Sequence, residues 1–216
     1  GRRIARIYPL YIVMTGIFIA FYATFPHKVP HDFDFSAKTI LSNILMVQAW
    51  GIGPSIIVAG WSISTEFGAY LMFPFLAILI LYRGKWIAHG LACVSCLTLA
   101  ILYFLSIGSE YEVKYVQSLN IWDGATFGPI IRCLAEFSLG IWAYRLYIRP
   151  SMAEKSALDF LQKSWVSIVT TIVIITLLAL PYPDVAIVIL MPFLIVSLAP
   201  DKSVVAQFLG WKPVYF

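Results

Sequence analysis

The chain has 216 residues, of which 61% are apolar and only 12% charged, and it carries a formal net charge of +4. A soluble domain carries roughly 25% charged residues, so this composition excludes an ordinary aqueous enzyme and points to an integral membrane protein. No nucleic-acid partner is expected, and no linker is long enough to divide two soluble domains.

Spanning a bilayer takes about 20 apolar residues in helical form. Arg2, Arg3 and Arg6 precede a first predicted span over residues 7–25, and no small-residue cleavage site follows that run. The chain lacks an initiator Met and stops at Pro213-Val214-Tyr215-Phe216 on the edge of another apolar segment. Residues 1–216 are therefore expected to be one transmembrane domain, truncated at both ends. A loop of mixed charge with Pro26 and Pro30 follows the first span. Residues 39–58 contain Gly51, Gly53 and Pro54 and read either as a span that breaks near its end or as a re-entrant segment. Further spans are predicted over residues 62–82, 86–107, 125–148 and 164–180, with a shorter run over 185–199 interrupted by Pro192. The fold class is all-α, a polytopic bundle with one re-entrant candidate. The positive-inside rule puts the loops carrying Arg83 and Lys85, Arg145 to Lys163, and Lys202 and Lys212 on the cytoplasmic side with the amino-terminal arginines, provided that residues 39–58 enter and leave by one face.

Three groups of polar residues could carry chemistry. Arg3 and Arg6 are i, i+3 neighbours on a helix. Guanidinium forks match phosphate oxygens bidentately, although from composition alone a basic flank that sets topology and touches anionic lipid is the more common explanation. The second group is Trp61-Ser62-Ile63-Ser64-Thr65-Glu66 with Tyr70. Ser62, Glu66 and Tyr70 recur at i, i+4, i+8 and share a helical face. A carboxylate inside a span is a functional-site hypothesis, with Glu66 as a general acid or base and Trp61, Ser62, Ser64 and Tyr70 as pocket residues. Its alternative role is a structural pair with an arginine. The third group is Arg132 and Glu136, an i, i+4 pair in the less favourable order for a helix. Arg132 can face Glu66 and leave Glu136 for a substrate, or the two can neutralise each other.

His27, His31 and His89 read as loop or snorkelling residues. Cys93, Cys96 and Cys133 read as small packing residues. No metal-ligand cluster, Gly-rich phosphate loop or Gly-x-Ser-x-Gly signal is present in the sequence.

Taken together, Arg3-Ile4-Ala5-Arg6 with Tyr8-Pro9-Leu10-Tyr11, Trp61–Glu66 with Tyr70-Leu71-Met72-Phe73-Pro74, and Arg132, Glu136, Phe137 and Gly140 resemble the membrane acyltransferase-3 family. Phe208 to Phe216 resemble the approach to that family's last helix. The resemblance implies a multi-pass protein of a bacterial inner membrane, with no resident cofactor. It implies transfer of an acyl group, commonly acetyl, from cytoplasmic acyl-CoA to a hydroxyl of a glycan or glycolipid. Arg3 and Arg6 would meet the donor, and Glu66 and its neighbours would line the pocket. The family's essential histidine lies upstream of the Arg-x-x-Arg sequence, so this stretch alone is expected to be inactive. A glycolipid transporter or flippase, which also uses broken helices and buried charge, and a membrane scaffold are the competing classes.

Overall fold

The computed structural model describes residues 2–29, 35–57, 59–106, 126–180, 184–200 and 204–210. They form helices and turns, with no strand among the described residues. The helices are α1 (Arg2–Thr24), α2 (Ala37–Ile44), α3 (Gly60–Ala77), α4 (Lys85–Ser106), α5 (Gly128–Ile148), α6 (Met152–Leu161), α7 (Ser164–Ala179), α8 (Asp184–Leu198) and α9 (Val204–Leu209). The all-α expectation holds. Residues 107–125, 211–216 and His31 lie outside the described residues, and with them the resemblance at the carboxyl end.

Among the described residues three stretches are long and apolar enough to cross a membrane: Ala5–Thr24, Gly60–Tyr82 and Lys85–Leu105. Helix α5 has 21 residues but carries Arg132, Glu136 and Arg145. Helices α6 and α7 meet at a 67° bend. The ten residues of α6 include Glu154, Lys155 and Asp159; at 1.5 Å per residue they rise only about 15 Å, too short to cross a bilayer alone. The basic stretch after α5, read from sequence as a loop, therefore contains a helix. Hydroxyls within the apolar helices turn back on their own backbone. Thr15 donates to the Tyr11 carbonyl, Thr98 to Val94 and Thr176 to Ile172, all at 2.8 Å. Such bonds satisfy a polar group locally where lipid offers no partner.

The chain divides into two compact units, residues 1–73 with 121–134, and residues 74–120 with 135–216. The divisions fall inside α3 and inside α5.

In the first unit, residues 39–58 do not form a continuous span. Ser36 caps α2, its Oγ accepting from the Thr39 amide, and the helix ends at Ile44. Turns follow, with Met46 at φ 58° and Gly51 at φ 74°. Irregular backbone within a membrane protein must find its hydrogen bonds in the protein, and two buried amides provide them. Asn43 donates to the Thr39 and Pro54 carbonyls and accepts from the Ile56 amide, each at 2.9 Å. Gln48 donates to the Tyr11 hydroxyl and the Gly60 carbonyl, each at 3.0 Å. Neither side chain has any exposed surface. Tyr8 adds a bond to the Ile44 carbonyl at 3.2 Å.

In the second unit, the chain widens after Pro74, which donates no backbone hydrogen bond, into a π turn over Ile78–Tyr82. Ile80 at its centre is fully buried and packs with Ala88 of α4 and Ile141 of α5. Ala92 and Leu99 of α4 meet Ala135 and Leu139 of α5, with Val185 and Val188 of α8 packed against them. Small residues at these crossings let helices approach closely where lipid removes most of the hydrophobic drive.

Candidate functional site

Helix α3 positions the central motif of the first unit. Glu66 sits on its exposed side, and the Tyr70 hydroxyl one turn on donates to Glu66 Oε2 at 3.3 Å. The two therefore share a face, as their spacing requires. With Ile7, Met46, Ile63 and Phe67 they line a recess of about 10 Å³, room for about one water molecule. Ile7 follows Arg6 directly, so the start of α1 and the Glu66 face of α3 border the same recess. Arg6 is exposed. The Arg3 side chain lies outside the described side chains.

Ser64 and Thr65, buried on α3, face elsewhere. Ser64 is fully buried; its Oγ accepts from the Ala49 amide at 3.2 Å and its carbonyl from the Trp50 indole at 3.0 Å. The structure thus places Ser64 against the irregular segment rather than beside Glu66, because two residues along a helix turn a side chain by about 200°. Ser62 donates to the Ala59 carbonyl at 2.9 Å and Thr65 to the Ser62 carbonyl at 2.9 Å. Trp61 is half-buried. Trp50 and Phe67 stack at 6.0 Å between centroids. Arg132 and Glu136 are both half-buried on α5, with the unit division between them.

The second unit holds a polar cluster that joins three helices. His89 of α4 and Arg145 of α5 both reach Glu154 Oε1 on α6, at 2.6 Å and 3.1 Å. Glu154 Oε2 accepts from the Ser151 amide at 2.5 Å, the return half of a capping box. The Trp142 indole donates to His89 Nδ1 at 3.2 Å. An indole nitrogen only donates, so Nδ1 must accept and Nε2 must carry the proton given to Glu154. The tautomer is thereby assigned by the partners. Burial acts to raise the Glu154 carboxyl, but the hydrogen bonds from Ser151, Arg145 and His89 outweigh it and hold the carboxyl down to about 2. His89 is accordingly a bonded member of this cluster, not the snorkelling side chain expected from sequence. The spacing Ser151-x-x-Glu154 is the sequence signal that marks the α6 start; nothing local marks the reach of Trp142 or Arg145. Beside the cluster a groove of about 520 Å³ runs between α4, α5 and α8. Its walls include Cys93 and Cys96, which are free thiols, and its lining is largely apolar.

Among the described residues no group of acidic, histidine and cysteine side chains is arranged to hold a metal ion. A family model described as an acyltransferase domain matches residues 1–203. Acyltransferase MdmB of Streptomyces mycarofaciens is 33% identical over 154 residues, which cover 65% of this chain and 37% of that relative. The aligned region is thus a little over a third of the relative's length. No solved structure matches.

Proposed function

The chain belongs to the membrane acyltransferase-3 family, and from that premise we propose that the protein transfers an acyl group, acetyl in the simplest case, from cytoplasmic acyl-CoA to a hydroxyl of a glycan or glycolipid at a bacterial inner membrane. In such a transfer the hydroxyl oxygen attacks the thioester carbonyl and gives up its proton. The carbon–sulfur bond breaks, and the thiol of coenzyme A leaves with a proton. The chemistry asks for a group that manages the hydroxyl proton and for positive charge near the donor phosphates and the developing oxyanion.

The observation that carries this reading is the recess of the first unit, which the start of the Arg-x-x-Arg helix and the Glu66–Tyr70 face border together. Glu66 is assigned to the proton, with Tyr70 holding its carboxylate. Arg3 and Arg6 are assigned to the donor phosphates, whose bidentate geometry suits guanidinium. Trp61, Ser62 and Arg132 of the first unit are assigned to the acceptor side. Ser64, committed to two backbone contacts, serves the pocket by fixing the segment behind it.

The test uses the full-length protein in vesicles, with release of free coenzyme A thiol from acetyl-CoA as the readout. Arg6→Ala raises the KM for the donor with protein level unchanged, and Glu66→Gln lowers kcat by about a hundredfold, the usual scale of acid–base assistance. Donor kinetics unchanged in Arg6→Ala discard the donor role. An inserted, folded Glu66→Gln protein of full activity discards the recess as the reaction site.

A further inference from the structure

The groove of the second unit is not used by the reaction proposed above. Along α4 its lining residues fall at His89, Cys93 and Leu97, a stripe one turn apart in each step, faced by Trp142 of α5 and by Pro192 and Phe193 of α8. At ~30 Å³ each, the share of liquid volume of one water molecule, about 520 Å³ holds on the order of seventeen groups of that size, room for one acyl chain. The ends of this groove differ in character. Leu97 stands at the apolar end. At the other, Lys85 precedes His89 by four residues and so continues the same face of α4, its ammonium 5.3 Å from the Trp86 ring centroid. The same end of the unit carries Arg149, over the Tyr82 ring at 5.2 Å, with Arg83, Lys155 and Lys163 in the adjoining stretches. Among the described acidic residues of this end, Glu154 is neutralised by Arg145, which leaves Asp159 against five described cations.

We propose that this groove is a binding site for an anionic phospholipid, with one acyl chain lying between α4, α5 and α8 and the phosphate at Lys85. Charge complementarity chooses the occupant. A zwitterionic lipid fills the apolar walls equally well but gains little from the basic rim, whereas each Lys or Arg near an anionic lipid adds a favourable charge contact. The polar cluster sets the depth of the headgroup. Both nitrogens of His89 are committed, to Trp142 and to Glu154, so the imidazole closes the groove without drawing the phosphate inward, and the phosphate stays with the rim.

The experiment uses the full-length protein, purified in detergent and reconstituted in phosphatidylcholine vesicles with or without phosphatidylglycerol. Phospholipid retained on re-extraction is quantified by mass spectrometry, and the alkylation rate of Cys93, which is exposed in the groove, is followed by peptide mass spectrometry. Phosphatidylglycerol is expected to be retained over phosphatidylcholine and to slow alkylation of Cys93. Lys85→Gln cuts that preference about fivefold, the factor equivalent to ~1 kcal/mol for one basic side chain. Cys93→Trp, which fills the groove, lowers retention of both lipids. Equal retention of the two lipids by the wild-type protein overturns the proposal. So does a Cys93 rate indifferent to lipid, which marks the groove as covered by another element, and so does displacement of phosphatidylglycerol by stoichiometric long-chain acyl-CoA, which marks it as a donor subsite. None of these outcomes depends on a variant that must fold, and none touches Arg6 or Glu66.

Discussion

The two units solve the same problem, polar groups in an apolar setting, by different means. The first uses neutral amides: Asn43 and Gln48 satisfy a stretch of irregular backbone one bond at a time. The second uses charge: one carboxylate, Glu154, gathers an imidazole and a guanidinium from two other helices and the backbone amide of its own N-cap, Ser151. Neutral amides hold geometry and are indifferent to pH. An ionised cluster holds three helices through one side chain and answers to protons. The unit built on amides is the one that presents an exposed carboxylate, Glu66, at a recess. The unit built on charge keeps its carboxylate for itself.

The contrast breaks most sharply at Glu154. Glu154→Leu strands Arg145, whose side chain is 8% exposed, and should cost about 3–5 kcal/mol, the scale for removing one partner of a buried pair. Thermal unfolding of the purified full-length protein, followed by loss of the monodisperse peak, measures it. The same melt against pH tests the charge directly. Because the Glu154 carboxyl is depressed from 4.5 to about 2, its contribution is fully present above 4.5 and is lost as pH falls from there towards 2. The variant should lack that portion of the acid limb. An identical acid limb in both proteins refutes the cluster as the source.

Next in size is Asn43→Leu. It removes three bonds and leaves the Ile56 amide without its acceptor, at a cost of about 2–3 kcal/mol, with no dependence on pH in the acid range. A pH-dependent loss there erases the distinction between the units. Gly68→Ala comes third. A methyl at Gly68 would press on Ile130 Cδ1, the movable end of its side chain, and stand 3.1 Å from the Trp50 ring; overpacking typically costs about 1–3 kcal/mol, here towards the lower end, and the yield of folded protein and its melt report it. The smallest effect is Tyr70→Phe, which breaks one 3.3 Å bond to an exposed carboxylate and should shift stability by less than about 1 kcal/mol. Its acyl-transfer rate, compared with that of Glu66→Gln, shows how far Tyr70 acts through Glu66.

Legibility in the sequence followed the range of the interactions. The spans came from long apolar runs, and the Glu66–Tyr70 pairing from four-residue spacing, both local properties of a helix. The end of α2 at Ile44 was half-legible, since Gly51, Gly53 and Pro54 announce a break but not the early stop that Asn43 and Gln48 make possible by bonding across 11 to 37 positions. Charge in its composition obscures helix α6 in the sequence, although the capping-box spacing Ser151-x-x-Glu154 marks its start. The bonds of His89 to partners 53 and 65 residues away had no local signature at all, and a histidine near the mouth of a span reads as a snorkelling residue until its partners are known.

The π turn over Ile78–Tyr82 has a consequence for the length of the chain. A π turn takes in more residues than the 3.6 of an α turn, so it stores a spare residue within a long apolar segment. Deleting one residue there lets the turn tighten into regular helix, so that Leu76 before it and Tyr82 after it both keep their azimuths. Elsewhere in a long helix a deletion throws everything downstream out of phase, at the expense of packed neighbours. This is therefore the point at which the segment can absorb an indel, and any relative one residue shorter between its central motif and the basic turn at Arg83 should have lost that residue here.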